Sequence, residues 1–277
     1  MIILRHKYIL ARVKMTEITE NGAPLTNADT ILCSALDIGE HILKNGGEIH
    51  RVEDTIERIC RSFGAEHVEV FTITSLIVAS IRMPDGTYSH QMRRIYKISN
   101  NLYMVEAMNG ISRRLCAGEI QISELRSKIV EAKNKKPYHE IILYLGAMMA
   151  AGGFAVFFGG SVLDGVCAAV IGVLMTAIDM HLPRFINRMV STVVLSIIAG
   201  VLGIVICKLG VGQSADKVMI GTIMLLIPGL SLGNSIRDLL GGDTISGALR
   251  LIESLLLALM IAFGFAVAML VTGGAAV

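Results

Sequence analysis

Residues 228–250 read PGLSLGNSIRDLLGGDTISGALR, with amide, guanidinium or carboxylate groups at Asn234, Arg237, Asp238, Asp243 and Arg250. Asn234, Arg237 and Asp238 stand at i, i+3 and i+4, the spacing of one helical face. A guanidinium there can hold a substrate carboxylate through paired hydrogen bonds, and the neighbouring Asp238 can neutralise it between cycles. Asp243 and Arg250 accompany the Gly241-Gly242 turn. Pro228-Gly229 interrupts the apolar run just before this cluster, marking a helix break or gate. Half-helix ends are a recurring way to build substrate sites in transporters. The competing reading is a surface loop stapled by ion pairs.

Fewer groups elsewhere invite chemistry. Asp164 sits about one turn into an apolar run, either as a proton or substrate group or as an interfacial helix cap. Asp179 and His181 read as a helix end before a Pro stop, and Asn187-Arg188 as a cytoplasmic anchor. His50, Glu53, Asp54 and Glu57 fall at i, i+3, i+4 and i+7 with Arg51 and Arg58 beside them. A metal or hydrolytic site is conceivable there, but a solvated face laced with i,i+4 pairs is the commoner outcome. GxSxG, HExxH, P-loop and GxGxxG motifs in their required settings are absent from the sequence, so an enzyme is not favoured and no metal or cofactor is expected.

The elements that must position these residues differ between the two halves. Of 277 residues, 53% are hydrophobic and 17% charged, with no Trp and a mean hydropathy of +0.63, a membrane-protein composition. Residues 1–140 hold 19 of the 25 Lys+Arg and 17 of the 23 Asp+Glu, so a polar half precedes a lipid-like one. The net charge of +2 gives no reason to expect nucleic acid. Five scattered Cys without a CxxC pair argue against a disulfide framework or zinc site.

Residues 1–26 read as a tail without signal-peptide features, and Met15 is a candidate alternative start. From Asn27 the apolar spacing predicts a helix ending at Asn45-Gly46-Gly47, then a second from Glu48 to Gly64. Val, Ile, Phe and Thr enrichment predicts strands at 67–73, 76–83 and 87–92, followed by helices at 100–117 and 122–132. Residues 27–136 are thus expected to form a cytosolic α/β domain, and 137–277 an α-helical bundle of about five transmembrane helices. Those segments are 141–158, 162–178, 189–207, 218–232 and 251–272, against the roughly 20 residues a crossing needs. The fourth is the weak one. Gly and Ala recur in these runs, which favours close helix packing. Lys133, Lys135 and Lys136, Arg184 and Arg188, and Arg237 and Arg250 precede alternate spans. The positive-inside rule then puts the N-terminal domain in the cytoplasm and the C-terminus outside.

GGEIHRVEDTIERICRSFG followed by VEVFTITSLIVASI resembles the N-terminal half of the threonine/serine exporter family. FFGGSVLDGVCAAVIG and the PG…N..RD…GD…G..R pattern resemble its membrane motifs, and the likeness extends over about residues 31–271. It is similar in particular to the family's short form, a five-span protein with a cytosolic domain. The resemblance implies export of threonine and serine, or of succinate, across the cell's plasma (inner) membrane. It also implies coupling to the proton gradient or membrane potential, and a separate small membrane subunit in a hetero-oligomer. From the residues alone, Asp164, Asn234, Arg237, Asp238, Asp243 and Arg250 are the candidates for a substrate or proton pathway. The alternative is a membrane-anchored cytosolic hydrolase or ligand sensor working through the His50–Glu57 face.

Overall fold

A computed structural model describes residues 27–135, 138–182 and 187–273. The expected tail with Met15 lies outside the described residues, as do Lys136 and Arg184. Contacts divide the chain into two compact units: residues up to Lys135 together with Asn234–Leu249, and the remainder. Composition had grouped 234–249 with the membrane segments; its contacts group it with the N-terminal residues.

The first unit begins with α1 (Asn27–Lys44) and α2 (Ile49–Ser62), whose apolar stripes meet. The turn between them needs glycine twice. Gly46 has φ +88°, the left-handed conformation that closes a helix, and a Cβ on Gly47 would lie 2.4 Å from Ile42 Cγ2. Strands β1 (His67–Ile73), β2 (Leu76–Arg82) and β3 (Tyr88–Arg94) form an antiparallel meander in that order. On β2 the period of two puts Ile77, Ala79 and Ile81 in the core and leaves Val78 exposed. Helices α3 (Leu102–Cys116) and α4 (Ile122–Asn134) complete the α/β unit. Its core includes the fully buried Leu32, Leu36, Ile56, Ile77 and Met108, each large aliphatic side chain stabilising by about 1.5–3 kcal/mol. Burial pushes the Cys60 thiol up to about 12, and all five cysteines are free.

The second unit contains α5 (Glu140–Phe157), α6 (Val162–His181), α7 (Arg188–Lys208) and α8 (Ala215–Ile223). The first turn of α9 (Gly229–Leu240) and most of α10 (Thr244–Val271) also belong to it. Among the described residues four helices, not five, are long and apolar enough to cross a membrane: α5, α6, α7 and α10. The expected fourth span, 218–232, is not a continuous helix. It ends at Ile223, turns, and restarts at Gly229 as α9. Pro228 explains the break, because it has no N–H to donate and restricts the residue before it away from helix. Its carbonyl then accepts from Leu232 N at 3.0 Å, opening α9.

Small residues let these helices approach closely. A Cβ on Gly152 would lie 2.9 Å from Gly165 O, and one on Gly221 2.4 Å from Ala151 O. On α10, a Cβ at Gly264 would meet Ser196 Cβ at 2.5 Å and Val193 O at 2.9 Å on α7. Gly264→Ala is therefore expected to destabilise the protein by about 1–2 kcal/mol. Gly153→Ala, with nothing within 4 Å of the added carbon, should leave the thermal midpoint in detergent unchanged. Outward faces carry exposed Met149, Phe157, Val166, Leu259 and Phe263, an apolar surface suited to hydrocarbon rather than water.

Candidate functional site

The six residues singled out from the sequence fall into different units. Asn234, Arg237, Asp238 and Asp243 belong to the first, Asp164 and Arg250 to the second.

In the first unit the 234–249 segment lies against the turn that joins α1 to α2. Asn234 Nδ2 donates to Gly46 O at 2.9 Å, and Arg237 forms an ion pair with Glu48. Asp238 Oδ1 accepts from Ile49 N at 3.1 Å. Glu48, at the N-cap position of α2, makes no side-chain cap bond of its own. Asp238 supplies instead the carboxylate that a helix N-terminus favours, both as acceptor and as negative charge against the helix dipole. The helical face drawn from the sequence is thus divided. Asp238 is buried at 2% exposure, whereas the Arg237 side chain is 66% exposed.

A second set of contacts lies further along the segment. β1 is an edge strand, and backbone groups of Thr72 on it are taken by side chains. Glu53 Oε1 accepts from Thr72 N at 2.7 Å, and Ser246 Oγ donates to Thr72 O at 3.3 Å. Asp243, immediately before α10, accepts from Gly247 N through its backbone oxygen at 2.9 Å. Burial pushes the Glu53 carboxyl above its ordinary range; the Thr72 N–H pulls it back and the Asp243 charge adds to the rise. Elsewhere on that helix Arg58 pairs with Asp54, and Arg61 with Glu57 at 2.7 Å. These are i,i+4 pairs on an exposed face, and His50 is exposed beside them. Among the described residues no three His, Cys, Asp or Glu side chains are grouped to hold a metal ion.

In the second unit Asp164 is 1% exposed and serves as a cap. Its Oδ2 accepts from Ser161 N at 2.9 Å and Ser161 Oγ at 2.8 Å, while Ser161 Oγ accepts from Asp164 N at 3.1 Å. This is a reciprocal capping box on α6. Its Oδ1 accepts from Gln213 N at 2.7 Å and Ser214 N at 3.0 Å, tying the loop before α8 to the start of α6. Of the two roles open to Asp164 in the sequence, the geometry displays the cap. Arg250 is buried within α10.

Sequence reasoning passed over a cavity of about 190 Å³ in the second unit. Thr176 and Asp179 near the end of α6 line it, with Arg188, Ser191 and Thr192 at the start of α7. Met175, Leu195, Leu225, Leu226 and Leu257 supply its apolar wall. Leu225 and Leu226 lie in the break between α8 and α9, so the interrupted helix noticed in the sequence borders this space. Asp179 and Arg188 had read as a helix end and an anchor because each is ordinary at the edge of an apolar run. The signal available was their opposite charge on consecutive apolar segments, with hydroxyls one turn inward from each.

A family model described as "Putative threonine/serine exporter" matches residues 34–272. The chain belongs to the ThrE family. Among curated proteins, this ThrE chain is 22% identical over 260 residues to "Probable threonine/serine exporter" of Mycobacterium tuberculosis (strain ATCC 25618 / H37Rv), covering 91% of the chain and 48% of that relative. It is 21% identical over 231 residues to "Threonine/serine exporter" of Corynebacterium glutamicum, covering 80% and 47%. The chain thus spans about half the length of the curated relatives it matches. No solved structure matches it significantly. Family membership and four apolar helices make this ThrE chain a multi-pass membrane protein.

Proposed function

We propose that this chain is a subunit of a secondary exporter that moves threonine, serine or another small carboxylate-bearing metabolite out of the cytoplasm. The observation that carries this reading is the family match across residues 34–272, which runs through both units and all of the described apolar helices. The proton gradient or the membrane potential drives transport. The first unit lies on the cytoplasmic side of the plasma membrane and the C-terminus outside, as the placement of Lys133, Lys135, Arg188, Arg237 and Arg250 favours. In that topology α8 and the first turn of α9 together make a broken fifth crossing, and the break faces a polar space. A separate small membrane subunit completes the transporter, as the resemblance to the family's short form implies.

The polar residues then divide the work. Asn234, Arg237 and Asp238 act as a clasp, holding the C-terminal part of α9 on the turn between α1 and α2 while the transporter changes state. Arg250, a cation at the start of an apolar stretch, belongs to the substrate or proton pathway, since a charge there is costly and rarely idle. Asp243 contributes through its charge near Glu53.

Efflux from preloaded cells tests the reading. Cells lacking this chain are expected to accumulate threonine, serine or succinate and to release it several-fold more slowly, with the rate restored by the gene and abolished by an uncoupler. Unchanged release of all three metabolites would overturn it. If Arg237→Ala and Asp238→Ala proteins, normally inserted, export at the unmodified rate, the clasp assignment fails while the exporter stands.

A further inference from the structure

We infer that the cavity between the end of α6 and the start of α7 is the substrate site, and that it takes a zwitterionic α-amino acid rather than a dicarboxylate. This rests on the exporter reading above and adds to it the place and chemical class of the ligand. The cavity holds about 190 Å³. That is somewhat more than the roughly 150 Å³ of a cavity that takes benzene, hence the scale of a ligand with about six to eight non-hydrogen atoms.

The charges at its rim are of both signs. Arg188 and Asp179 line it, both exposed. Among the described residues neither forms an ion pair with another side chain. A guanidinium fits a carboxylate through two parallel hydrogen bonds, and Asp179 offers a carboxylate to an ammonium. The helix ends act in the same sense. Arg188 opens α7, whose N-terminus favours negative charge, and Asp179 lies in the last turn of α6, whose C-terminus favours positive charge. A positive-inside anchor would account for Arg188 alone; it gives no reason for Asp179 to line the same cavity.

The hydroxyls decide between ligand classes. Thr176 Oγ1 donates to Gly172 O at 2.9 Å, while Ser191 Oγ and Thr192 Oγ1 both donate to Arg188 O at 2.9 Å. Each hydroxyl has one proton to give. With those protons committed to helix carbonyls, the three oxygens present lone pairs to the cavity. Lone pairs accept from an ammonium or from a substrate hydroxyl, and they repel a second carboxylate. A dicarboxylate would meet Arg188 favourably at one end only; its other end would face Asp179 and three acceptors. A small hydroxy-amino acid satisfies all of them, and the leucines of the wall take its aliphatic part.

Isothermal titration of the purified full chain in detergent tests this with four probes: L-threonine, L-threonine amide, N-acetyl-L-threonine and succinate. L-Threonine is expected to bind, with affinity at least tenfold lower for the amide, which lacks the carboxylate, and for the N-acetyl form, which lacks the ammonium. Succinate should give no heat. Arg188→Gln and Asp179→Asn should each weaken L-threonine at least tenfold, and Asp179→Asn should narrow the gap between L-threonine and its N-acetyl form. Equal binding of N-acetyl-L-threonine and L-threonine, tighter binding of succinate, or no binding of any probe overturns the proposal. Both variants are exposed at the rim, and an unchanged thermal midpoint separates a lost ligand contact from lost folding. Cellular efflux separates the two readings. Efflux that needs the chain but ignores both variants removes the site and keeps the exporter; L-threonine binding that both variants weaken, without any efflux defect in cells lacking the chain, keeps the site and removes the exporter.

Discussion

Asp164→Ala is expected to lower the stability of the protein by about 3 kcal/mol, the largest effect of any single polar substitution considered. The carboxylate accepts from Ser161 N, Ser161 Oγ, Gln213 N and Ser214 N. Removing it leaves these donors without their acceptor, and each buried donor left unpaired costs about 1–3 kcal/mol. Some reach water through the loop at 209–214, which keeps the total below the simple sum. The measurement is the thermal midpoint of the full chain in detergent. Asp164→Asn should fall between wild type and alanine. Its amide oxygen can serve Gln213 and Ser214, but its NH₂ then faces the Ser161 N–H, donor against donor. A pathway role predicts a different pattern: Asp164→Asn would stop efflux while leaving the midpoint where it was. That result would replace the cap with a proton or substrate role.

The second large effect is expected at Asp238. Asp238→Ala should cost about 2 kcal/mol, the upper range for loss of an N-cap acceptor, because the donor at Ile49 is buried and the carboxylate also opposes the α2 dipole. Hydrogen exchange reads this directly: the Ile49 amide should lose protection at least tenfold in Asp238→Ala and much less in Asp238→Asn, which keeps an acceptor oxygen. Arg237→Ala, which removes an ion pair with a largely exposed arginine, should cost under about 1 kcal/mol. A larger loss at Arg237 than at Asp238 would show that the ion pair, not the helix cap, holds the segment in place.

How far the site could be read in advance depends on how local each interaction is. Ser161-x-x-Asp164 is a capping box visible within four residues, so one of Asp164's two open roles was already written in the sequence. That its other oxygen binds Gln213 and Ser214, about 50 positions away, was not. The i, i+3, i+4 spacing put Asn234, Arg237 and Asp238 on one side of a helix. It could not say that Asn234 and Asp238 turn inward to backbone atoms of the α1–α2 turn while Arg237 faces outward to Glu48. The break at Pro228 was legible because proline acts on its own neighbours. Its consequence, four long apolar helices and a split fifth segment, needed the fold. Asp179 and Arg188 were read separately and assigned ordinary roles, since nothing in a linear string joins a helix end to the next helix start across a shared cavity.

Helix and strand positions, the glycine turn at Gly46-Gly47 and the apolar segments were determined by residue order alone. They depend on backbone sterics, on periods of two and 3.6, and on hydrophobic content over a few neighbours. The partners of the polar groups were decided only by the tertiary structure. Asp238 caps a helix that begins 189 positions earlier, and the charges and hydroxyls of the cavity come from helices that share it only once folded. A hydrogen bond acts within about 3 Å in space, whatever the separation along the chain.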